Sequence, residues 1–144
     1  LESIQELYFN KLKIGKSLDT KDYDISFARG LSFEDGAATI TELTARIISE
    51  YLFNFFKDIK FKKINIFLCG GGRKNLDLLK KIKNKSSKDT EFKIIDDLGI
   101  NGDFIESQAF AFLAIRSFLG LNISYPKTTG CSKACTGGEL IDTK

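Results

Sequence analysis

The sequence predicts an α/β fold built on a parallel βαβ core with long buried helices, and three observations carry that prediction. A β-rich run, Lys63–Cys69, stops at the glycine triplet Gly70–Gly72 and is followed by helix-patterned residues and a second short β-rich run, Phe92–Ile95. Strand, helix and strand with short joints imply a right-handed crossover and therefore parallel strands. Apolar residues recur every three or four positions from Ala37 to Phe55, and Ala109–Ile115 is apolar on every side; both are helix patterns that need covering. The composition, 42% hydrophobic and 28% charged over 144 residues with 13 Phe, is that of a globular chain able to bury one core.

Each element follows from local chemistry. Residues 8–30 show no sustained period and contain two glycines among repeated Asp and Asn, so residues 1–30 read as a connecting segment. Ser32 and Asp35 stand three apart like a weakened capping box, and Ile40, Leu43, Ile47, Tyr51 and Phe55 continue one stripe. One helix of about 25 residues is predicted, and its wide stripe implies packing against a sheet. After the strand and glycine turn, Asn75 can cap a helix whose Leu76, Leu79 and Ile82 form one face; Asn84 and the polar stretch Lys85–Asp89 end it. Gly102 breaks the chain, Asp103 and Glu106 have capping-box spacing, and Gly120 supplies a stop to the apolar helix between them. From Asn122 the tail is loop-like, with turn chemistry at Thr128–Gly130 and Gly137–Gly138 and a candidate short strand at Glu139–Ile141.

What is missing narrows the chemistry. Histidine is absent, which excludes Ser-His-Asp and Cys-His nucleophilic catalysis within this chain and removes the commonest zinc ligand. Three cysteines, Cys69, Cys131 and Cys135, are too few for a disulfide scaffold. The Cys131-x3-Cys135 pair is a weak metal or redox signal with no second pair and no histidine to complete a site, and two thiols in a C-terminal loop are the expected reading; no metal site is predicted. The formal charge of +3 hides an asymmetry, because Lys57–Lys93 holds twelve Lys/Arg against four Asp/Glu. Such a block could attract nucleic acid, but it lacks interleaved aromatics or a recognition-helix pattern, so a solvated face is the expected reading and no nucleic-acid partner is predicted. No apolar run approaches the ~20 residues that span a bilayer. The first ten residues carry two glutamates where a signal peptide would be basic and apolar, so a cytoplasmic location without membrane contact is expected. The absence of methionine suggests a piece of a longer protein.

Two places could carry chemistry. Gly70–Gly72 lies at the carboxyl end of a strand and before a helix, where open α/β sheets bind ligands. Without a β-carbon, glycine lets backbone amides approach a nucleotide, and the helix N-terminus adds a positive dipole end. The motif is neither a dinucleotide fingerprint nor a Walker A loop, and a plain tight turn is the alternative. Glu106 is either a helix cap reaching back to the Asp103 amide or a carboxylate at a cleft that accepts hydrogen bonds from ligand hydroxyls.

The runs Leu68-Cys-Gly-Gly-Gly-Arg-Lys-Asn75, Asp97-Leu-Gly-Ile-Asn-Gly-Asp103, Glu106-Ser-Gln-Ala-Phe-Ala-Phe-Leu-Ala114 and Pro126-Lys-Thr-Thr-Gly130, with Ser32–Ala45 upstream, together resemble the C-terminal portion of anhydro-N-acetylmuramic acid kinases. The similarity covers most of the chain, and several ordered motifs with sensible gaps are far more specific than a glycine triplet alone.

The resemblance implies a lobe of the actin, hexokinase and Hsp70 (ribonuclease H-like) ATPase fold, with residues 1–30 at the lobe interface and 31–144 as the C-terminal nucleotide-binding lobe. It implies an ATP- and Mg²⁺-dependent sugar kinase of peptidoglycan recycling. Such an enzyme opens the 1,6-anhydro ring with water while phosphorylating the sugar to N-acetylmuramate 6-phosphate. By motif match, Gly70, Gly71, Gly72 and Asn75 would lie near the nucleotide, and Glu106 would bind the sugar. Ser107, Lys127 and Cys131 depart from the family pattern. The family's N-terminal phosphate loop and aspartate general base have no counterpart in this sequence, so no catalytic residue is assigned here and the chain alone is expected to be inactive. Other classes consistent with the sequence are a non-catalytic nucleotide-binding or homodimerising module and a basic nucleic-acid-binding domain.

Overall fold

Ser32 begins the longest helix as its sequence suggests: the hydroxyl accepts the Asp35 amide hydrogen at 3.0 Å and helix α1 runs from Phe33 to Phe56. In the computed structural model, which describes Tyr8, residues 23–60 and residues 63–141, α1 follows a 3-10 turn at Ser26–Ala28. Most of the segment 1–30 lies outside the described residues. Strand β1 (Ile64–Leu68), a 3-10 turn (Gly71–Lys74), helix α2 (Leu76–Lys85) and strand β2 (Thr90–Ile94) come next. A 3-10 turn (Ile95–Leu98), helix α3 (Ile105–Phe118) and a single helical turn, α4 (Pro126–Thr129), complete the described chain. The strands are parallel, in register from Ile64 opposite Thr90 to Leu68 opposite Ile94. The expected βαβ unit is therefore present, with its second strand starting and ending slightly earlier than the apolar run indicated. Among the described residues no helix is long and apolar enough to cross a membrane.

The chain divides into two compact units between Ile94 and Ile95. In the first, α1 packs chiefly on α2 and not, as its wide stripe suggested, on the sheet. Leu43 and Ile47 on one side of α1 pack with Tyr8, which is 1% exposed, and with Phe27; Ala45 and Ser49 are buried on another side. The Tyr8 hydroxyl accepts the Asp24 amide hydrogen at 3.0 Å, which satisfies its polar tip. A helix buried on two sides reads as one broad stripe.

Charge fastens the two helices. Glu42 of α1 accepts from Arg46 Nε at 2.8 Å and from Lys85 Nζ at 2.9 Å, with Lys81 Nζ at 3.5 Å from its other oxygen. Part of the basic block is thus paired within the fold, and Lys63 and Lys93 similarly approach Glu91. The hydrogen bond from Arg46, then that from Lys85, holds the Glu42 carboxyl down to about 2 from its ordinary 4.5. A folded-state value below the unfolded one means that the unfolded chain binds the proton more readily. The resulting stability is present above pH 4.5 and is lost as pH falls from there toward 2. Glu42→Gln is expected to lower stability near pH 7 by about 1 kcal/mol, less than the full shift would give because solvent reaches the cluster. It should also flatten the acid limb of the unfolding curve; denaturant titrations at several pH values check both, and an unchanged acid limb contradicts this role.

In the second unit, the Gly120 stop is formed in full. The Leu121 amide bonds the Arg116 carbonyl at 2.8 Å and the Gly120 amide bonds Ser117 at 2.9 Å, with Gly120 at φ 67°; this is the Schellman pairing. Two expectations fail here. No residue of α3 is buried, and Phe110, Ile115 and Phe118 are 65%, 60% and 73% exposed. An all-round apolar pattern states that a helix needs cover, and the described residues do not provide it. Glu139–Ile141 is not a strand, because the sheet of the described residues consists of β1 and β2 alone and offers it no partner in its own unit. The tail instead holds α4, closed by Gly130 in the left-handed region at φ 74°, and an antiparallel bridge between Ser124 and Cys135.

Candidate functional site

β1 delivers the chain into Gly70, whose φ of 73° and ψ of 178° suit only glycine. The turn then winds through Gly71–Lys74 and meets Asn75, whose side-chain oxygen accepts the Leu78 amide hydrogen at 3.0 Å and starts α2. The structure therefore brings Gly70, Gly71, Gly72 and Asn75 together as one strand-to-helix turn. A β-carbon added at Gly70 or Gly71 would meet no atom of the described residues within 4 Å, while one at Gly72 would touch Leu78 at 3.9 Å. The first two glycines thus border open space, and packing within the fold does not account for their missing side chains.

Arg73 was not singled out by sequence reasoning. It is 9% exposed, and its Nη1 donates to the Gly70 carbonyl at 2.8 Å while its backbone amide approaches the same oxygen at 3.3 Å. The guanidinium holds the turn closed from inside. The one available signal was its place three residues after the first glycine, the spacing at which a tight turn brings groups together.

Glu106 belongs to the other unit. The capping box expected with Asp103 does not form: α3 begins at Ile105, its N-cap is Phe104, and no side chain caps it. The reason lies just upstream. The Asn101 side-chain oxygen takes the Asp103 amide hydrogen at 3.0 Å, and the Asn101 carbonyl takes that of Phe104 at 3.1 Å, so a local turn occupies the groups a box would use. The Gly102 amide, buried here, donates to Asp96 at 3.3 Å. Glu106 is left as the second helical residue, exposed, its side chain making no hydrogen bond or ion pair among the described residues. It sits where the helix end favours a negative charge.

Comparison with known proteins bears on both places. The family model described as anhydro-N-acetylmuramic acid kinase matches residues 8–143. A protein of that name from Pelagibacter ubique is 49% identical over 125 residues, covering 87% of this chain and 33% of the relative. The Zymomonas mobilis protein of the same name is 38% identical over 137 residues, covering 95% and 36%, and that of Rhizorhabdus wittichii is 42% identical over 123 residues, covering 85% and 32%. The chain spans about a third of the length of these curated relatives. With the match continuous across the glycine turn, α3 and the tail, the chain belongs to the anhydro-N-acetylmuramic acid kinase family.

Proposed function

We propose that this chain is the C-terminal, nucleotide-facing part of an ATP-dependent kinase that opens the 1,6-anhydro ring of anhydro-N-acetylmuramic acid while phosphorylating it, as in peptidoglycan recycling. The observation that carries the reading is the open space over Gly70 and Gly71 at a strand-to-helix turn, in a chain that belongs to this family. An ATP molecule fits such a turn because bare backbone can approach it closely where any side chain would intrude. When bound, ATP supplies the transferable phosphoryl group. The chain's own residues hold the turn (Arg73), head the adjoining helix (Asn75) and, through Glu106, accept hydrogen bonds from sugar hydroxyls.

No group of three His, Cys, Asp or Glu among the described residues could hold a metal ion. They do not form a dedicated Mg²⁺ cage, and Mg²⁺ in phosphoryl transfer is often held largely by phosphates and water.

The fold extends the same proposal. Residues 31–144 would be one lobe of the actin, hexokinase and Hsp70 group and residues 1–30 the passage to the other lobe. The uncovered apolar faces of α3 support this, since Phe110, Phe112, Ile115 and Phe118 present more apolar surface than a lone soluble unit usually leaves exposed. A phosphate loop and a carboxylate base would come from outside these 144 residues. The 144-residue chain assayed alone with ATP, Mg²⁺ and the anhydro sugar should therefore yield no phosphorylated sugar, and the same chain joined to the family's remaining part should yield it. Product from the chain alone would show that the segment is catalytically complete and overturn the lobe assignment.

A further inference from the structure

Ser49 of α1 is 7% exposed, and its hydroxyl has no hydrogen-bond partner among the described residues. A hydroxyl inside a helix ordinarily bonds the carbonyl four residues back. The same unit shows that default twice, with Thr44 donating to the Ile40 carbonyl at 2.9 Å and Ser86 to that of Ile82 at 2.8 Å. Ser49 leaves it unused, and a buried hydroxyl without a partner is unfavourable until something bonds it.

Ser49 lines a cavity of about 220 Å³ at the end of the first unit where α1 and α2 finish and both strands begin. Leu52, Phe53, Phe56 and Ile64 form its apolar wall, and Lys57, Lys85 and Asp89 are its charged residues. A second hollow of about 330 Å³, which adds Arg46 and Glu50, shares Ser49, Phe53 and Lys85 with the first. Ser49 and Lys85 are thus the polar residues common to both spaces. Lys57 pairs with no carboxylate among the described residues. Lys85 donates to Glu42 at 2.9 Å, but an ammonium carries three donors, and Glu42 is also bonded by Arg46. On the cavity wall two lysines therefore face the single carboxylate of Asp89.

We propose that this cavity is a binding site for a small monocarboxylate with a single-ring apolar body. The ring lies against Leu52, Phe56 and Ile64, and the carboxylate accepts one hydrogen bond from the Ser49 hydroxyl and one from Lys85. Pockets for drug-sized molecules run to roughly 300–1,000 Å³, so a space of about 220 Å³ suits one ring and a short acid arm. The two lysines disfavour a cationic ring compound, and a purely apolar one leaves Ser49 unbonded. The site is separate from the glycine turn. The cavity meets α2 at its last residue and the turn meets it at its first, and a helix of 10 residues is about 15 Å long.

Benzoate is the probe, with benzylamine and benzyl alcohol as its cationic and neutral counterparts. In a protein of full family length, methyl-resolved NMR titration with benzoate should shift Leu52 and Ile64 saturably, equally with and without ATP. Leu76, at the glycine end of α2, should not move. Benzoate should bind about tenfold more tightly than either counterpart, the difference that a hydrogen-bonded charge makes. Ser49→Ala should remove about tenfold of benzoate affinity without lowering the unfolding temperature, since the hydroxyl bonds nothing in the described fold. Equal affinity for the three probes, benzoate binding undiminished by Ser49→Ala, displacement by ATP, or no saturable shift at Leu52 and Ile64 would each overturn the assignment. The three probes compared on the unsubstituted protein decide the question even if the variant fails to fold.

Discussion

Gly71→Leu is expected to leave the fold nearly as stable as before while lowering nucleotide affinity about tenfold or more, the loss that follows when a side chain occupies space a ligand needs. Gly71 lies in the 3-10 turn without a positive φ, and its absent β-carbon borders open space. A β-carbon there meets no described atom and needs no unusual φ, so a side chain extends into the space a ligand would use. Gly70→Ala separates the two roles of the triplet. Its backbone sits at φ 73° and ψ 178°, a region that costs a residue with a β-carbon about 1–3 kcal/mol. This variant should therefore unfold several degrees earlier, roughly 3 °C or more, before any effect on ligand. Thermal unfolding and ATP titration of both variants, in a protein of full family length, check the pair. ATP binding undiminished by Gly71→Leu would make the triplet a tight turn and nothing more.

Local signals were legible and their tertiary partners were not. Ser32, Asn75 and Gly120 each act through backbone groups within a few residues, so their hydrogen bonds could be read from spacing and all three formed. The parallel pair was legible too, since a single short helix between two β-rich runs leaves little other topology. The stripe of α1 showed how much of the helix is covered but not by what; its cover is α2 and Tyr8, residues distant in sequence. Arg73 was hidden because a charged residue beside a turn reads as solvated, and only the turn's curvature carries its guanidinium back to the Gly70 carbonyl. The capping box at Asp103 failed through competition, since Asn101 offers the same backbone a nearer acceptor. Of the candidate site, the glycine turn was visible as a unit, whereas whether Glu106 was a cap or a free carboxylate depended on the helix starting at Ile105.

That starting point makes Glu106→Gln informative. Placed in a protein of full family length, the substitution is expected to lower kcat/KM for the anhydro sugar about tenfold to a hundredfold, the usual loss when a charged hydrogen-bond acceptor facing a ligand is neutralised. ATP affinity should be unchanged, because the glycine turn lies on other residues. Glutamine keeps the size and one acceptor oxygen of glutamate, so the change isolates charge. Since the Glu106 carboxylate caps nothing and bonds to no described residue, its neutralisation should also leave the unfolding temperature almost where it was. A helix-end charge gives the opposite pattern: stability falls by a few tenths of a kcal/mol and sugar kinetics do not move. The ratio of the two effects decides between a carboxylate kept for a sugar and one kept for its helix.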